Sequence, residues 1–435
     1  MSQSATAAAP GRSPQAPVLW KSQEMADRRK ARYAADRRLQ MYGLAGIIFA
    51  LGFLAILLTT LAFTGYKAFV QTTASVEINL AAQDIDRTDI REANWRSIFR
   101  DAVRQEFPDL SRAEEREFFK IFTSSAHYLV RDRVLDNPAL LDGTTTFHIP
   151  LADPLDQFAK GEVNPDLPED QRRVSNAQLE LYEVLDARGM ISQPFNWGLF
   201  FNADSRFPEL AGLAGAISGS FWALLVCFLI SFPVGIAAAI YLEEFAPKNR
   251  WTDLIEININ NLAAVPSVVF GMLGLAVFLG WFGLPRSAPF VGGLVLSLMT
   301  LPTLIIVTRA SLKSVPMAIR EAALGVGASK HEVIFHHVLP LAMPTVMTGT
   351  IIGLAQALGE TAPLLLIGMN AFITSPPDGI FEASTALPTQ IYIWADSPER
   401  GFVARTSAAI LVLLGFLALM NAIAIFLRQR FERRW

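Results

Sequence analysis

Residues 211–241 (AGLAGAISGSFWALLVCFLISFPVGIAAAIY) run for 31 positions without a charged side chain. A helix needs roughly 20 apolar residues to cross the hydrocarbon of a bilayer, so this run constrains the chain more than any other feature. Inside lipid the backbone N–H and C=O groups must be satisfied within the segment itself, which leaves a helix for an uninterrupted stretch of this kind. Five further apolar runs lie at about 42–64, 254–282, 288–309, 341–368 and 404–427. A length of 435 residues would alone suggest two or three soluble domains, but 52% hydrophobic against 18% charged residues excludes that. The expected fold is an all-α polytopic membrane protein with six transmembrane helices. Its only cysteine, Cys227, lies inside an apolar run, so no intrachain disulfide can form and a small buried hydrophobe is expected there.

Charge sets the topology. Arg28, Arg29, Lys30, Arg32, Arg37 and Arg38 precede the first run, and Arg428, Arg430, Arg433 and Arg434 follow the last. The connections at 242–253 (Lys248, Arg250) and 310–340 (Lys313, Arg320, Lys330) are basic too, whereas 283–287 holds only Arg286. By the positive-inside rule both termini and the 310–340 loop are cytoplasmic. Residues 1–40 read as a disordered basic N-terminus without an apolar signal region, and 41–65 as the first transmembrane helix.

Residues 66–209 are too long for a connector and carry 25 Asp and Glu against 16 Lys and Arg, while the rest of the chain has 15 against 21. The patterns are those of a small α+β domain inserted outside the cytoplasmic side. WRSIFRDAVRQEF spaces Trp95, Ile98, Phe99, Val103 and Phe107 at helical intervals. Ser111 and Glu114 suit a capping box opening a helix that ends near Leu135. TTTFHIPL reads as a strand, and NAQLELYEVLDARG as a helix stopped by Gly189. The net acidity would repel an anion, so a contact with a substrate-binding protein or another envelope component, or a structural role, is expected of this domain.

Within 210–435, prolines interrupt the runs: Pro266 near the middle of the third, Pro344 and Pro363 in the fifth. Such prolines occur where helices flex or line a cavity. Gly212, Gly215 and Gly219 suit close helix contact in the second run. The 310–340 loop reads as two short helices. Ser314 lies near the first cap, Pro316 falls in the first turn and Gly327 provides the stop. Ser329 and Glu332 suit a capping box for the second helix, which is expected to end near Pro340. Glu321, Ala322 and Ala323 would present one charge beside two minimal side chains. His331, His336 and His337 are poorly aligned for a metal and read as a basic rim. There is no G-x-x-x-x-G-K-S/T, no Ser/His/Asp arrangement and no metal cluster, so neither ATP hydrolysis nor other catalysis is expected of this chain.

EAALGVGASKHEVIFHHVLP (321–340) resembles the coupling loop of ABC importer permeases. Glu321-Ala322-Ala323, Gly327 and Leu339-Pro340 fall in register, and His337 stands at a usually hydrophobic position. VPSVVFGMLG (265–274) and ALGETAPLLL (357–366) resemble signatures of the phosphate ABC transporter permeases, closer to the A-type (PstA) than to the C-type subunit. The resemblance covers roughly 211–435. It implies a type I importer permease core that binds a separate ATPase dimer through Glu321, Ala322, Ala323 and Gly327. The implied partners are a C-type permease, a periplasmic phosphate-binding protein and membrane lipid, with ATP-Mg in the ATPase and no nucleic acid. The implied place is the bacterial inner membrane. A related permease for phosphonate, sulfate or molybdate, or an envelope sensor using the 66–209 domain, are the alternatives.

Four residues are candidates for the substrate path. Glu360, ionisable within an apolar run, would position a cation, gate the path or make an interhelical hydrogen bond. Thr361 beside it could donate to substrate or to its own helix. Arg309 matches an arginine implicated in the path of related permeases, and an anchor at the headgroups explains it equally. Gln356, four residues before Glu360, stands where relatives often carry arginine; it can donate hydrogen bonds but brings no charge, which leaves open whether this subunit or the partner permease supplies the principal cation.

Overall fold

The computed structural model describes residues 23–431 apart from 84, 109 and 110. The chain divides into two compact units, residues 1–60 and 61–435. Helix α1 spans Gln23–Gly65, beginning within the stretch expected to be disordered. No glycine or proline interrupts residues 23–42, and Ala, Arg, Lys, Gln, Glu and Met dominate, so helix propensity is high there. The expectation for residues 1–22, and for Arg433 and Arg434, lies outside the described residues.

Among the described residues, five helices are long and apolar enough to cross a membrane, or six if one bent pair counts as a single span. Besides α1 they are α7 (Ala214–Phe245), α10 (Pro289–Ser314), α12 (Lys330–Gly359) and the apolar part of α15 (Gly401–Phe431). The bent pair is α8 (Arg250–Ala263) and α9 (Ser267–Trp281), which meet at 103°. The third apolar run is therefore not one straight helix. Pro266 caps the second half with φ −57° and ψ 138°, extended values that end the helical ladder. α7 and α10 form the most extensive pairing. A Cβ on Gly293 would lie 2.5 Å from Val226 Cβ and 2.6 Å from the Ala223 carbonyl oxygen, so this position takes only glycine. Gly219 serves another contact: its missing Cβ makes room for the Thr385 carbonyl and Ser384, not for a helix, while Gly212 precedes the helix altogether.

The inserted region carries a three-stranded antiparallel sheet in the order β2-β1-β3. β1 (Thr73–Asn79) pairs with β2 (Thr144–Pro150) from Thr73 opposite Pro150 to Asn79 opposite Thr144, and with the short β3 (Ile191–Ser192). Helices α2 (Trp95–Glu106), α3 (Arg112–Phe119), α4 (Ala126–Asp136), α5 (Asp153–Ala159) and α6 (Asn176–Ala187) complete it. Trp95, Ile98, Phe99 and Val103 all face one core with Phe118, Phe122, Phe147 and Ile149. Phe99 meets Phe122 edge-on at 5.4 Å, the favoured aromatic geometry. The helix opened by Ser111 ends at Phe119 and not near Leu135. A second helix starts after the Thr123-Ser124-Ser125 stretch, where Thr123 N leaves the helical ladder to donate to the Pro150 carbonyl of β2 at 3.0 Å. α6 stops at Gly189 with φ +69°.

A buried ionic cluster joins this domain to α15. Asp156 accepts a hydrogen bond from Thr72 N at 2.9 Å and pairs with Lys160 at 2.6 Å. The Arg405 guanidinium donates to the Ala211 carbonyl. Asp153 crowds Gly401, where a Cβ would meet its carboxylate. Burial pushes the Asp153 and Glu209 carboxyls up, because the charged form loses water that few partners replace.

Candidate functional site

The elbow between α10 and α12 is built by local capping. Pro316 N-caps α11 (Met317–Gly325), whereas Ser314 ends α10 and donates to the Ser311 carbonyl at 2.7 Å. Gly327 turns the chain with φ +93°, a left-handed value that glycine accepts without strain. Ser329 N then donates to Glu332 at 2.8 Å and Glu332 N to Ser329 Oγ at 3.3 Å, a complete capping box. The helix that follows does not end near Pro340. It runs through a π-turn at Val333–Val338 into an α-helical stretch ending at Gly359. Pro340 falls in the first turn after the register shift, where its missing N–H costs little.

Inside the elbow, Ala323, Val333, Ile334 and Val338 pack with Ile240, Leu312 and Val315. Ala323 is therefore buried, and of the three residues only Glu321 and Ala322 face outward. Around them Met317 and Leu324 are exposed, and Val326 is 87% exposed. The outer face of α11 thus sets the Glu321 carboxylate among uncovered apolar side chains.

The elbow is fastened by residues that sequence reasoning did not single out for this role. Arg320 donates to the Leu312 and Val315 carbonyls at 2.8 and 2.7 Å, covering the end of α10, and to Glu244 of α7 at 2.9 Å. Cations at a helix C-terminus satisfy its orphan carbonyls and its dipole. The Lys330 amine sits 5.1 Å over the Phe245 ring. Displacing the elbow therefore pulls on α7 and α10 together. The available signal was Glu243-Glu244, an acidic pair in a connection whose other charges are mostly basic.

Arg309 lies one helical stretch deeper. It pairs with Glu256 of α8 at 2.9 Å and Glu243 of α7 at 3.4 Å, and Lys313 also approaches Glu243 at 3.5 Å. Its charge is matched by two carboxylates and joins three helices.

The other path candidates cluster at a second helix break. α12 stops at Gly359, Glu360 adopts extended ψ 119°, and α13 (Ala362–Leu366) resumes after Thr361. Gln356 is exposed on the last turn of α12, while Glu360 and Thr361 are half-buried in the break itself. They are thus not two points on one continuous helix. α13 packs on α9 so closely that a Cβ on Gly271 would stand 2.7 Å from Pro363 Cα. The two proline-marked breaks, at 264–266 and 360–361, are consequently neighbours through their second halves. Paired discontinuous helices free backbone groups where a transporter needs polar contacts. By contrast the pocket among Ser231, Thr300 and Thr350, between α7, α10 and α12, holds only about 10 Å³, too little for an oxyanion.

Residues 231–435 match a family model described as the binding-protein-dependent transport system inner membrane component. Residues 26–169 match a domain of unknown function, DUF3333. The chain is 30% identical over 219 residues to a probable ABC transporter permease, YqgI, of Bacillus subtilis, covering 46% of this chain and 73% of that protein. It is 31% identical over 225 residues to phosphate transport system permease protein PstA 1 of Mycobacterium tuberculosis, covering 51% and 72%. Among solved structures it is similar to the inward-facing MetNI methionine ABC transporter, with 14% identity, TM-score 0.39, and coverage of 50% of this chain and 94% of that one.

Proposed function

Since the chain belongs to the PstA-like branch of the ABC importer permeases, we propose that it is the A-type permease subunit of an ATP-driven phosphate importer. It works in the bacterial inner membrane with its elbow and both termini cytoplasmic and the inserted domain on the far side. The carrying observation is the elbow. Glu321 stands exposed beside Ala322 among uncovered apolar side chains, on a support that Arg320 fastens to two spans at once. That surface suits a cleft in a separate ATPase subunit, which would bind and hydrolyse ATP-Mg. A C-type permease and a periplasmic phosphate-binding protein complete the assembly.

Movement of the elbow would pass through Arg320 and Lys330 to α7 and α10. Arg309, held between Glu243 and Glu256, reinforces that end as a clamp; its compensated charge leaves it poorly suited to attract phosphate. Glu360, Thr361 and Gln356 would edge the path where the two helix breaks meet. With no unmatched cation at those three positions, the main attraction for phosphate falls to the partner permease.

The test is uptake of labelled phosphate in cells lacking this chain, with and without its re-expression, in the presence of excess sulfate, molybdate or phosphonate. Restored uptake that only unlabelled phosphate suppresses is the expected result. Suppression by one of the other oxyanions reassigns the substrate.

A further inference from the structure

The inserted domain is acidic overall, yet five of its sixteen Lys and Arg side chains meet at one groove. Helix α2 carries Arg96, Arg100 and Arg104 at successive intervals of four residues, so all three project from one face while Ile98, Phe99, Ala102 and Val103 fill the core from the other. α3 brings Arg116, and Lys120 follows four residues later at its C-cap. These five cations line one open groove of about 620 Å³, the size of a small-molecule site.

Most of this charge is uncompensated. Glu115 takes Arg104 in a two-pronged pair at 2.9 and 3.3 Å, and Glu117 takes Lys120 at 2.7 Å. Arg96, Arg100 and Arg116 have no ion-pair partner among the described residues. Like charges four residues apart destabilise a helix unless an anion lies between them. Thr123 also lines the groove and is 2% exposed, with its hydroxyl lying against the Glu209 carboxyl. The half-exposed ring of Phe119 forms an apolar part of the wall.

We infer that this groove binds a soluble phosphate monoester, with Arg96, Arg100 and Arg116 holding the phosphoryl oxygens and Phe119 meeting the organic group. Planar guanidinium groups match a phosphoryl group in forked geometry, which a lysine ammonium does not. The volume decides for an ester over inorganic phosphate. At about 620 Å³ the open groove falls in the range of small organic ligands and exceeds what one tetrahedral anion fills. Net charge misleads here because a ligand responds to the nearest charges, and a distant excess of carboxylates is screened within ~10 Å. The inference does not rest on the transport reading. It gives a ligand to a region whose family match carries no function.

The experiment is calorimetric titration of the full chain in nanodiscs of zwitterionic lipid, with phenyl phosphate and with inorganic phosphate. Saturable binding of phenyl phosphate at one site is expected, tighter than inorganic phosphate and weakening as salt is raised. Arg100→Gln, on the exposed face, should weaken it about tenfold with an unchanged melting curve. Arg116→Gln, from the other helix, should do the same and stands in if the first variant unfolds. Absence of saturable binding, equal affinity for the two anions, or affinity unchanged in both variants would overturn the proposal. Wild-type phosphate uptake is scored separately: its failure would remove the transport reading and leave a bound ester standing.

Discussion

Arg320→Met should loosen the elbow without unfolding the bundle. The substitution keeps most of the aliphatic stem and removes a guanidinium that makes hydrogen bonds of 2.7, 2.8 and 2.9 Å. Arg320 and Glu244 have side chains only 14% and 11% exposed, so the loss leaves a nearly buried carboxylate without its partner. Breaking a fully buried pair costs about 3–5 kcal/mol, and a carbonyl that loses its donor at a wet helix end costs less than a buried one. Some water reaches this end of the bundle, which brings the expected total to about 2–4 kcal/mol. Because α11 has nine residues of which only Ala323 is buried, the effect should appear as local opening. At 1.4 kcal/mol per tenfold, amide exchange in residues 317–325 should accelerate by roughly 30-fold or more. Exchange in β1 should not change. Glu244→Gln should loosen the same segment, and the double variant should be far less damaged than the two effects added. Protection of 317–325 that stays within about threefold of wild type, or strict additivity, would refute the fastening role.

Other perturbations should separate the parts of the account. Glu321→Lys should insert and fold normally but abolish uptake and co-purification with the ATPase, since Glu321 is exposed and reversing its charge touches only the docking surface; normal uptake would contradict the docking role. Gly219→Val should lower the melting temperature sharply, because even a Cβ there would fall 2.0 Å from the Thr385 carbonyl oxygen; overpacking of this kind costs about 1–3 kcal/mol or more. Burial raises the Glu209 carboxyl above its usual range, so its contribution to stability is full below the unfolded value and is lost as pH rises through the folded one. The melting temperature of Glu209→Gln minus that of wild type should therefore increase from pH 5 to pH 8 (conditions about the unperturbed carboxylate range and above it), and a difference that shrinks would show the sign to be wrong.

The elements set by local chemistry were legible in the sequence. Ser329 with Glu332 and Ser111 with Glu114 each form both bonds of a capping box, and Gly327 and Gly189 turn the chain with positive φ. What escaped depends on partners distant in sequence. Pro266 marked an interruption, but only packing against neighbouring helices sets a bend of 103°. Likewise Pro363 did not reveal that Glu360 lies in a break and no longer on a helix. Strand β1 was missed although Val76 and Ile78 alternate with polar residues, because its partner strand begins at Thr144. Ala323 reads as exposed beside Glu321 until Val333 and Ile334 fold over it. The Arg320–Glu244 pair joins residues 76 positions apart, so no local pattern could announce it. In the inserted domain, summed charge concealed the arginine stripe of α2, which the four-residue spacing of Arg96, Arg100 and Arg104 displays on inspection.

The central claim is that this chain passes phosphate across the membrane when an ATPase pulls on its elbow. Its most direct test is reconstitution of the chain in liposomes with a C-type permease, the ATPase and the phosphate-binding protein, measuring accumulation of labelled phosphate against a gradient. The account requires accumulation that needs ATP, ceases with Glu321→Lys and ignores excess sulfate. Phosphate accumulation that persists with Glu321→Lys, or ATP-driven accumulation of another oxyanion in its place, would contradict it.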